Sequence, residues 1–334
     1  MPPPPRIRLE AVVADDLVQV HASAGDSRAL RFPAAADDSV PAVACLRLAA
    51  HVTPARERGG GLPVPIQHLA GSDDARAVPY RDIANHEIVA SRGLFVAEGR
   101  LVVRRLIEDG RCRFHSLLVS PAALAGLAQI LPSVVEHVPI YVCETKAFLG
   151  ITGYDIHRGC LALVERPPAL SVSEVMEPIL SGSQRATVIV LEGVTNPDNV
   201  GGVFRNAAAF GAGAVLLSPT CCDPLYRKAI RTSMAATLRV PFGRAENWPV
   251  DLSILREAGF TLVALTPDPG AQSIDKFVTS RPARIALLVG TEGEGLTEGL
   301  ARLADRRVSI PIEPHVDSLN LAVATAIALH RLYR

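Results

Sequence analysis

The chain has 334 residues and a formal net charge of zero, with 49% hydrophobic and 20% charged residues. This length predicts two domains, each large enough for its own core. The charge balance excludes a basic field over the whole surface that would attract nucleic acid. Apolar runs reach only about ten to twelve residues, too short to cross a bilayer, so no membrane partner is expected. No apolar segment follows the N-terminal prolines, and secretion is not expected either.

The first 63 residues show no clear periodicity. Prolines, acidic pairs and the glycines at residues 59–61 interrupt apolar runs that are only a few residues long. This composition predicts an N-terminal extension, residues 1–63, that is partly disordered or loosely packed.

Residues 64–166 change to an α/β pattern. Apolar residues at helical spacing follow residues 95–99, and strands are predicted at 116–119, 140–142 and 161–164. Six arginines crowd the first helix and its exit, which indicates either a solvated helix face or a surface for RNA phosphates. They are Arg92, Arg100, Arg104, Arg105, Arg111 and Arg113.

The proline- and serine-rich stretch at residues 167–185 predicts a linker. Beyond it, apolar strands and helices alternate through residues 186–334. Continuous apolar strands separated by helices predict a parallel sheet with helices on both faces. The strands are predicted at residues 187–191, 214–217, 261–264, 285–289 and 307–310, and the helices near 200–210, 225–236, 252–258, 296–304 and 319–332.

The six cysteines have neither the spacing of a metal site nor that of a disulfide framework. None forms a Cys-x-x-Cys pair, and no set of histidines accompanies them. A reducing, cytoplasmic location without a bound metal is therefore expected. The cysteines are Cys45, Cys112, Cys143, Cys160, Cys221 and Cys222.

The turn after the first strand of the parallel sheet is rich in glycine and leads into a helix. A dinucleotide site would need Gly-x-Gly-x-x-Gly here and an acidic residue about twenty positions on. Residues 193–202 lack that spacing, so a nicotinamide-dependent enzyme is not favoured. Asn199 is predicted at the helix cap, with Arg205 about a turn and a half inside the helix. Among apolar neighbours this arginine needs a partner, either a structural carboxylate (Glu192 or Glu292) or an RNA group.

Two further segments with glycine or helix-capping residues follow this turn along the chain. Residues 288–296 read Leu-Val-Gly-Thr-Glu-Gly-Glu-Gly-Leu after a buried strand, where glycines let a ligand approach the backbone closely. Residues 310–320 run from an Ile-Pro-Ile loop to the final helix. Ser318 and Asn320 lie there at positions typical of helix N-caps.

These segments, in this order, resemble the three signature motifs of SpoU-type RNA 2′-O-methyltransferases, which belong to the SPOUT superfamily. The elements are Asn-x-x-Asn-x-Gly-x-x-x-Arg at 196–205, Gly-x-Glu-Gly-x-Gly-Leu at 290–296 and Ile-Pro-Ile…Ser-Leu-Asn at 310–320. The resemblance implies a SPOUT catalytic domain at residues 186–334 with a C-terminal trefoil knot, which forms a homodimer. It also implies S-adenosyl-L-methionine as cofactor and a ribose 2′-hydroxyl of structured rRNA or tRNA as substrate.

The resemblance further implies the residues of the site. Arg205 would position the 2′-hydroxyl and a phosphate, since a pKa above about 12 makes arginine an implausible free base. Many relatives have Asn at the position of Thr291, which leaves only a backbone role there. The implied catalytic residues are Asn199, Arg205, Glu292, Ser318 and Asn320, and the implied cofactor-binding residues are Thr266, Gly290, Glu292, Ile310, Ile312 and Leu319.

Residues 227–233 resemble the arginine-serine segment of the same family. Arg227 and Arg231 are four apart on one predicted helix face, and no acidic residue occurs between 224 and 245. A local basic stretch of this kind is a candidate for phosphate contact. With Arg100 and Arg104, these two arginines are predicted to bind the RNA. Relatives tend to have glycine at the position of Ala235.

Residues 64–166 resemble the L30e-like substrate-binding module that often precedes SpoU catalytic domains. The resemblance rests on residues 95–99 and 152–162. Two alternatives to the 2′-O-methyltransferase remain open: a non-catalytic RNA-binding protein that retains the fold, and a base methyltransferase of the same superfamily.

Overall fold

The structure is a computed structural model that describes residues 9–14, 17–22, 66–131, 138–154, 156, 159–182, 185–313 and 315–333. Most of the extension predicted at residues 1–63 lies outside these ranges. Within it, strands β1 (Leu9–Ala14) and β2 (Leu17–Ala22) pair antiparallel. None of the helices in the described ranges is long and apolar enough to cross a membrane.

A five-stranded mixed sheet with the order β3-β6-β5-β7-β4 organises the next part of the chain. Side chains alternate along its strands between two core clusters, so that helices bury apolar residues on each face. Its strands are β3 (Ile66–His68), β4 (Leu94–Glu98), β5 (Phe114–Val119), β6 (Ile140–Val142) and β7 (Cys160–Glu165). Its helices are α1 (His86–Ser91), α2 (Arg100–Asp109), α3 (Pro121–Leu127) and α4 (Ala147–Thr152).

A seven-stranded sheet with the order β10-β9-β8-β13-β11-β14-β12 organises the rest. Every neighbouring pair in it is parallel. Its strands are β8 (Ala186–Leu191), β9 (Ala214–Leu217), β10 (Phe242–Arg244), β11 (Thr261–Leu265), β12 (Gln272–Ser273), β13 (Arg284–Val289) and β14 (Arg306–Ser309).

Helices cover both faces of this sheet, which confirms the predicted arrangement. One face carries α6 (Pro197–Ala209), α7 (Arg227–Thr232), α9 (Ile274–Val278) and α11 (Leu321–Tyr333). The other carries α5 (Val172–Leu180), α8 (Ser253–Glu257) and α10 (Glu298–Leu303). The trefoil knot implied by the resemblance stays a prediction.

The segment predicted as a linker contains helix α5. Ser171 forms a capping box with Glu174 at its start, since each side chain hydrogen-bonds the backbone of the other. Val175 and Met176 are buried in the core beneath the parallel sheet. Most of residues 167–185 therefore packs as part of the second domain.

The helix predicted at residues 225–236 is shorter than expected. Helix α7 ends at Thr232, and Met234 and Ala235 then adopt positive φ angles of 53° and 68°. Left-handed backbone is unfavourable for residues with a Cβ, so glycine would adopt the backbone of Ala235 with less strain. The turn buries Ala235 against the core of the first domain.

Helix α7 also joins the two domains. Leu225 and Ile230 are buried in the core cluster that is otherwise built from the five-stranded sheet and its helices. Around this apolar contact, Asp109 accepts two hydrogen bonds from Arg239, at 2.6 and 2.8 Å. The second domain is therefore docked on the first through both apolar packing and charge pairs.

Candidate active site

The three sequence motifs meet at one edge of the parallel sheet. Strands β8 and β13 are neighbours with Leu191 opposite Val289, so the turn after β8 and the loop after β13 leave the sheet side by side. The segment from β14 to α11 returns to the same place, where Asn320 contacts both. The carboxyl ends of parallel strands are where open α/β sheets bind ligands.

Asn320 is the junction of the three motifs. Its side-chain nitrogen donates to Asn199 Oδ1 at 2.9 Å and to Glu292 Oε1 at 2.8 Å. Its oxygen accepts from the backbone N–H groups of Ala322 and Val323, at 3.0 and 3.2 Å. An amide has two N–H donors and one carbonyl oxygen, so every polar atom of Asn320 is used. Three predicted catalytic residues are thus held in one fixed arrangement.

The N-terminal caps of helices α6 and α11 differ in part from the prediction. Asn196, not Asn199, caps α6, and its oxygen accepts from the N–H groups of Asp198 and Asn199. Pro197 then occupies the first helical position, where its missing N–H costs nothing. Asn199 lies inside the first turn, 5% exposed, with its side chain turned to Asn320. Ser318 is exposed ahead of the cap residue Asn320.

Arg205 is exposed on α6, so of its two predicted partners, a structural carboxylate or an RNA group, the structure does not provide the carboxylate. Neither expected partner is engaged with it: Glu192 accepts from Trp248 and Thr297, and Glu292 accepts from Asn320. Within the described ranges, no hydrogen bond or ion pair involves the Arg205 guanidinium. Its charge faces solvent and is open to an external anion.

A cavity of about 340 Å³ opens beside this junction. Its walls include Val289, Leu265 and Leu321 from the sheet and the start of α11, so they are largely apolar. Catalytic candidates Ser318 and Asn320 also reach it. The structure brings all six predicted cofactor-binding residues to this cavity, namely Thr266, Gly290, Glu292, Ile310, Ile312 and Leu319.

The loop after β13 folds back on itself to form one wall of this cavity. Thr291 and Gly295 exchange two backbone hydrogen bonds, at 3.1 and 3.0 Å. A Cβ on Gly290 would collide with the backbone of Gly295 and Leu296. Gly293 and Gly295 have φ angles of 91° and 73°, which only glycine adopts readily. The glycines of the motif are therefore required by the loop itself.

The predicted RNA-binding arginines of α7 have a partner that the sequence did not indicate. Glu98, 5% exposed at the end of β4, accepts from Arg227 Nη1 at 2.7 Å and from Arg231 Nη1 at 2.8 Å. Both side chains lie on one helix face, as the spacing predicts. The Arg227 side chain is only 11% exposed and stacks on Tyr154, whereas that of Arg231 is 50% exposed. The structure places Arg227 between the domains instead of on an open basic surface.

The arginines of α2 remain at the surface. Arg100 is exposed, and Arg104 pairs with Glu108 one turn along the helix at 2.8 Å. Arg105 donates instead to the backbone oxygen of Met234 across the domain boundary, at 2.8 Å.

A second charged cluster joins the domains near the turn after β8. Asp223 Oδ2 lies 2.9 Å from His86 Nε2 and accepts from Arg166 at 2.5 Å. Burial alone would raise the pKa of Asp223, but the hydrogen bond with His86 and the charge of Arg166 lower it from 3.8 to about 2. Sequence reasoning missed this cluster and the partners of Glu192, because these contacts join residues far apart along the chain.

The chain is similar to known RNA methyltransferases in both sequence and fold. A sequence model of the SpoU rRNA Methylase family matches residues 186–330. An uncharacterized tRNA/rRNA methyltransferase of Mycobacterium bovis is 37% identical over 279 residues, 80% of this chain and 92% of that protein. A 23S rRNA (guanosine-2′-O-)-methyltransferase of Photobacterium profundum is 31% identical over 179 residues, 53% of this chain and 71% of its own.

Among solved structures, an AdoMet-bound rRNA methyltransferase from Sinorhizobium meliloti has a TM-score of 0.64 and 25% identity. That likeness covers 80% of this chain and 97% of the other. The chain belongs to the SpoU family of RNA methyltransferases.

Proposed function

We propose that this chain transfers the methyl group of S-adenosyl-L-methionine to a ribose 2′-hydroxyl of a structured rRNA or tRNA. The observation that carries the proposal is the junction of Asn199, Glu292 and Asn320 beside the cavity of about 340 Å³. The relative from Photobacterium profundum, whose name specifies guanosine 2′-O-methylation, supports the choice of ribose over base.

The cavity fits the cofactor in size and chemistry. Small-molecule sites have volumes of about 300–1,000 Å³, with apolar walls and a few placed polar groups. Ile310 and Leu319 offer the apolar surface that an adenine ring needs, and Gly290 presents backbone without a side chain. Glu292 and Asn320 supply polar atoms at the junction. When bound, the cofactor supplies a methyl group activated by a positively charged sulfur.

The residues of the chain act mainly by positioning. Asn320 is immobilised by its bonds to the start of α11, and it fixes Asn199 and Glu292 in turn. Arg205, charged and exposed, binds a phosphate or the 2′-hydroxyl and places the nucleotide. Holding two reactants in line lowers the barrier substantially, and the proton displaced from the 2′-hydroxyl passes to solvent water.

RNA binding in this proposal uses the exposed arginines. Arg100 and Arg104 on α2, together with the half-exposed Arg231, offer guanidinium groups that suit bidentate phosphate contact. Arg227 contributes indirectly, by holding α7 against the first domain. The L30e-like role of residues 64–166, the homodimer and the cytoplasmic location stay predictions.

Replacing Arg205 tests the proposal. Because Arg205 is exposed and has no hydrogen bond or ion pair among the described residues, Arg205→Ala should change the free energy of unfolding by less than about 0.5 kcal/mol. Methyl transfer to RNA should nevertheless fall by at least a hundredfold, with cofactor affinity unchanged by calorimetry. The matched control is Arg302→Ala, an arginine on α10 with a 74% exposed side chain, and it should keep full activity.

Mass spectrometry of the modified RNA identifies the methylated atom. A methyl group on the ribose oxygen is the expected result. A methyl group on a base would make the chain a base methyltransferase, and binding of RNA without any transfer would make it a non-catalytic RNA-binding protein. An Arg205→Ala variant with full activity would contradict the role assigned to Arg205.

A further inference from the structure

Glu192 is a buried carboxylate at the carboxyl end of β8 that no ion pair within the described ranges compensates. It is 6% exposed, and it accepts three hydrogen bonds from neutral donors. Oε1 accepts from Trp248 Nε1 at 2.8 Å and from Thr297 Oγ1 at 2.9 Å, and Oε2 accepts from the Thr297 backbone N–H at 2.8 Å. Burying a charge costs free energy unless it is fully hydrogen-bonded, so a buried carboxylate without an ion pair indicates a specific role.

The contacts of Glu192 lie at the two ends of one loop. Its backbone N–H donates to Val289 O at 2.9 Å, immediately before Gly290. Its carboxylate holds Thr297, immediately after Leu296. One residue therefore connects the entry and the exit of the loop at 290–296, which forms a wall of the cavity.

Apolar packing of Leu296 and Leu300 also holds the exit of the loop, but few polar contacts fix its orientation. Thr297 is the N-cap of α10, with its Oγ1 accepting from Leu300 N at 3.3 Å, but α10 has only six residues. Inside the loop, the pair of bonds between Thr291 and Gly295 fixes the shape of the turn and not its position relative to the sheet. The Glu192 carboxylate helps to set that position, because Glu192 directly follows β8 and lies outside the loop.

We propose that Glu192 is a positioning residue that holds the loop at 290–296 in the shape that binds the cofactor. The inference rests on the proposed function, since it assigns the cavity to S-adenosyl-L-methionine. A loop ordered before binding loses less conformational entropy when the ligand enters. Glu192 acts through Thr297 and does not touch the cofactor cavity itself.

The variant Glu192→Gln tests the proposal with almost no change in size. Its amide has one acceptor oxygen, and its NH₂ group must face either Thr297 N–H or the donors on the other side. At least one of the hydrogen bonds from Trp248 or Thr297 is therefore lost, and the amide N–H of the variant faces another N–H or O–H donor. If the binding-competent loop falls to a tenth of the population, the apparent dissociation constant for S-adenosyl-L-methionine rises about tenfold.

Calorimetry on the full chain separates positioning from general stability. A positioning role predicts a higher dissociation constant at unchanged stoichiometry, with kcat restored at saturating cofactor. A merely structural role predicts fewer binding sites with the wild-type dissociation constant, and that result would overturn the proposal. Glu298→Gln is the matched control, because its side chain is 79% exposed at the start of the same helix. It should bind the cofactor as the wild type does.

Two substitutions of Thr297 cover the case in which Glu192→Gln does not fold. Thr297→Ser keeps the hydroxyl donor to Glu192 and should keep wild-type affinity. Thr297→Val removes that donor at the same size and should weaken cofactor binding several-fold. Equal affinity in the two variants would contradict the proposal.

Hydrogen exchange without cofactor distinguishes a failure of this inference from a failure of the proposed function. Removing the Glu192 contact should speed exchange of the amides of Thr291, Gly295 and Thr297, whatever the cavity binds. A wild-type chain that binds no S-adenosyl-L-methionine would refute the cofactor assignment. Unchanged exchange in Glu192→Gln would refute the positioning role alone.

Discussion

The pair between Glu98 and Arg227 should be a main contributor to the docking of the two domains, and Glu98→Gln removes it. The Glu98 side chain is 7% exposed, and it is the acceptor for both Arg227 and the half-exposed Arg231. The Arg227 guanidinium has no other charged partner in the described part of the chain, only the rings of Tyr154 at 4.0 Å and Tyr226 at 6.0 Å. The substitution therefore leaves a nearly buried cation without its anion.

The size of the effect follows from this burial. Breaking a buried ion pair by removing one partner costs about 3–5 kcal/mol. Arg231 can turn into solvent, so its share is below about 1 kcal/mol. We expect Glu98→Gln to lower the free energy of unfolding by about 3 kcal/mol. Glu108→Gln, which removes the exposed partner of Arg104, should cost less than about 0.5 kcal/mol.

A double-mutant cycle measured by urea unfolding tests this reasoning. Glu98→Gln, Arg227→Met and the double variant are compared by circular dichroism. The double variant should lose less stability than the two single variants added together, by more than about 1 kcal/mol, since it leaves no unpaired buried charge. The reasoning would be refuted if the losses in free energy of unfolding were additive in the double variant. It would also be refuted if Glu98→Gln were no less stable than Glu108→Gln. Arg227 would then be free for the RNA contact that the sequence predicts.

Two further predictions concern pH and salt. The lowered pKa of Asp223, about 2 against an ordinary 3.8, stabilises the fold above about pH 4, and this stabilisation is lost as pH falls through 2. Asp223→Asn should thus cost about 2 kcal/mol at pH 7 and almost nothing near pH 2, and a pH-independent difference in urea midpoints would contradict this. For RNA binding, Arg100→Gln and Arg231→Gln should each flatten the salt dependence of affinity by somewhat less than one unit, whereas Arg227→Gln should not. Equal slopes for all three variants in filter-binding titrations would refute the proposed surface.

The sequence alone predicted the parallel sheet of the second domain with helices on both faces, and it named the residues that meet at the candidate site. Strands β8, β9 and β13 fall where continuous apolar runs predict them, because a strand covered on both faces must be apolar throughout. The three motifs follow strands of one parallel sheet, so their convergence at its carboxyl edge follows from the strand pattern. Asn199, Glu292 and Asn320 could be named before any contact was known.

Only the tertiary structure decided which charges are paired and which are free. Glu98 and Arg227 are 129 residues apart, and Glu192 and Thr297 are 105 apart, so no local pattern connects either pair. Local spacing places arginines on one face of a helix, but it does not show what packs against that face. Arg205, whose apolar neighbours in sequence indicated burial with a partner, is exposed, while Arg227, expected at the surface, is nearly buried. Burial and pairing depend on how the domains dock, and that docking is a property of the folded chain as a whole.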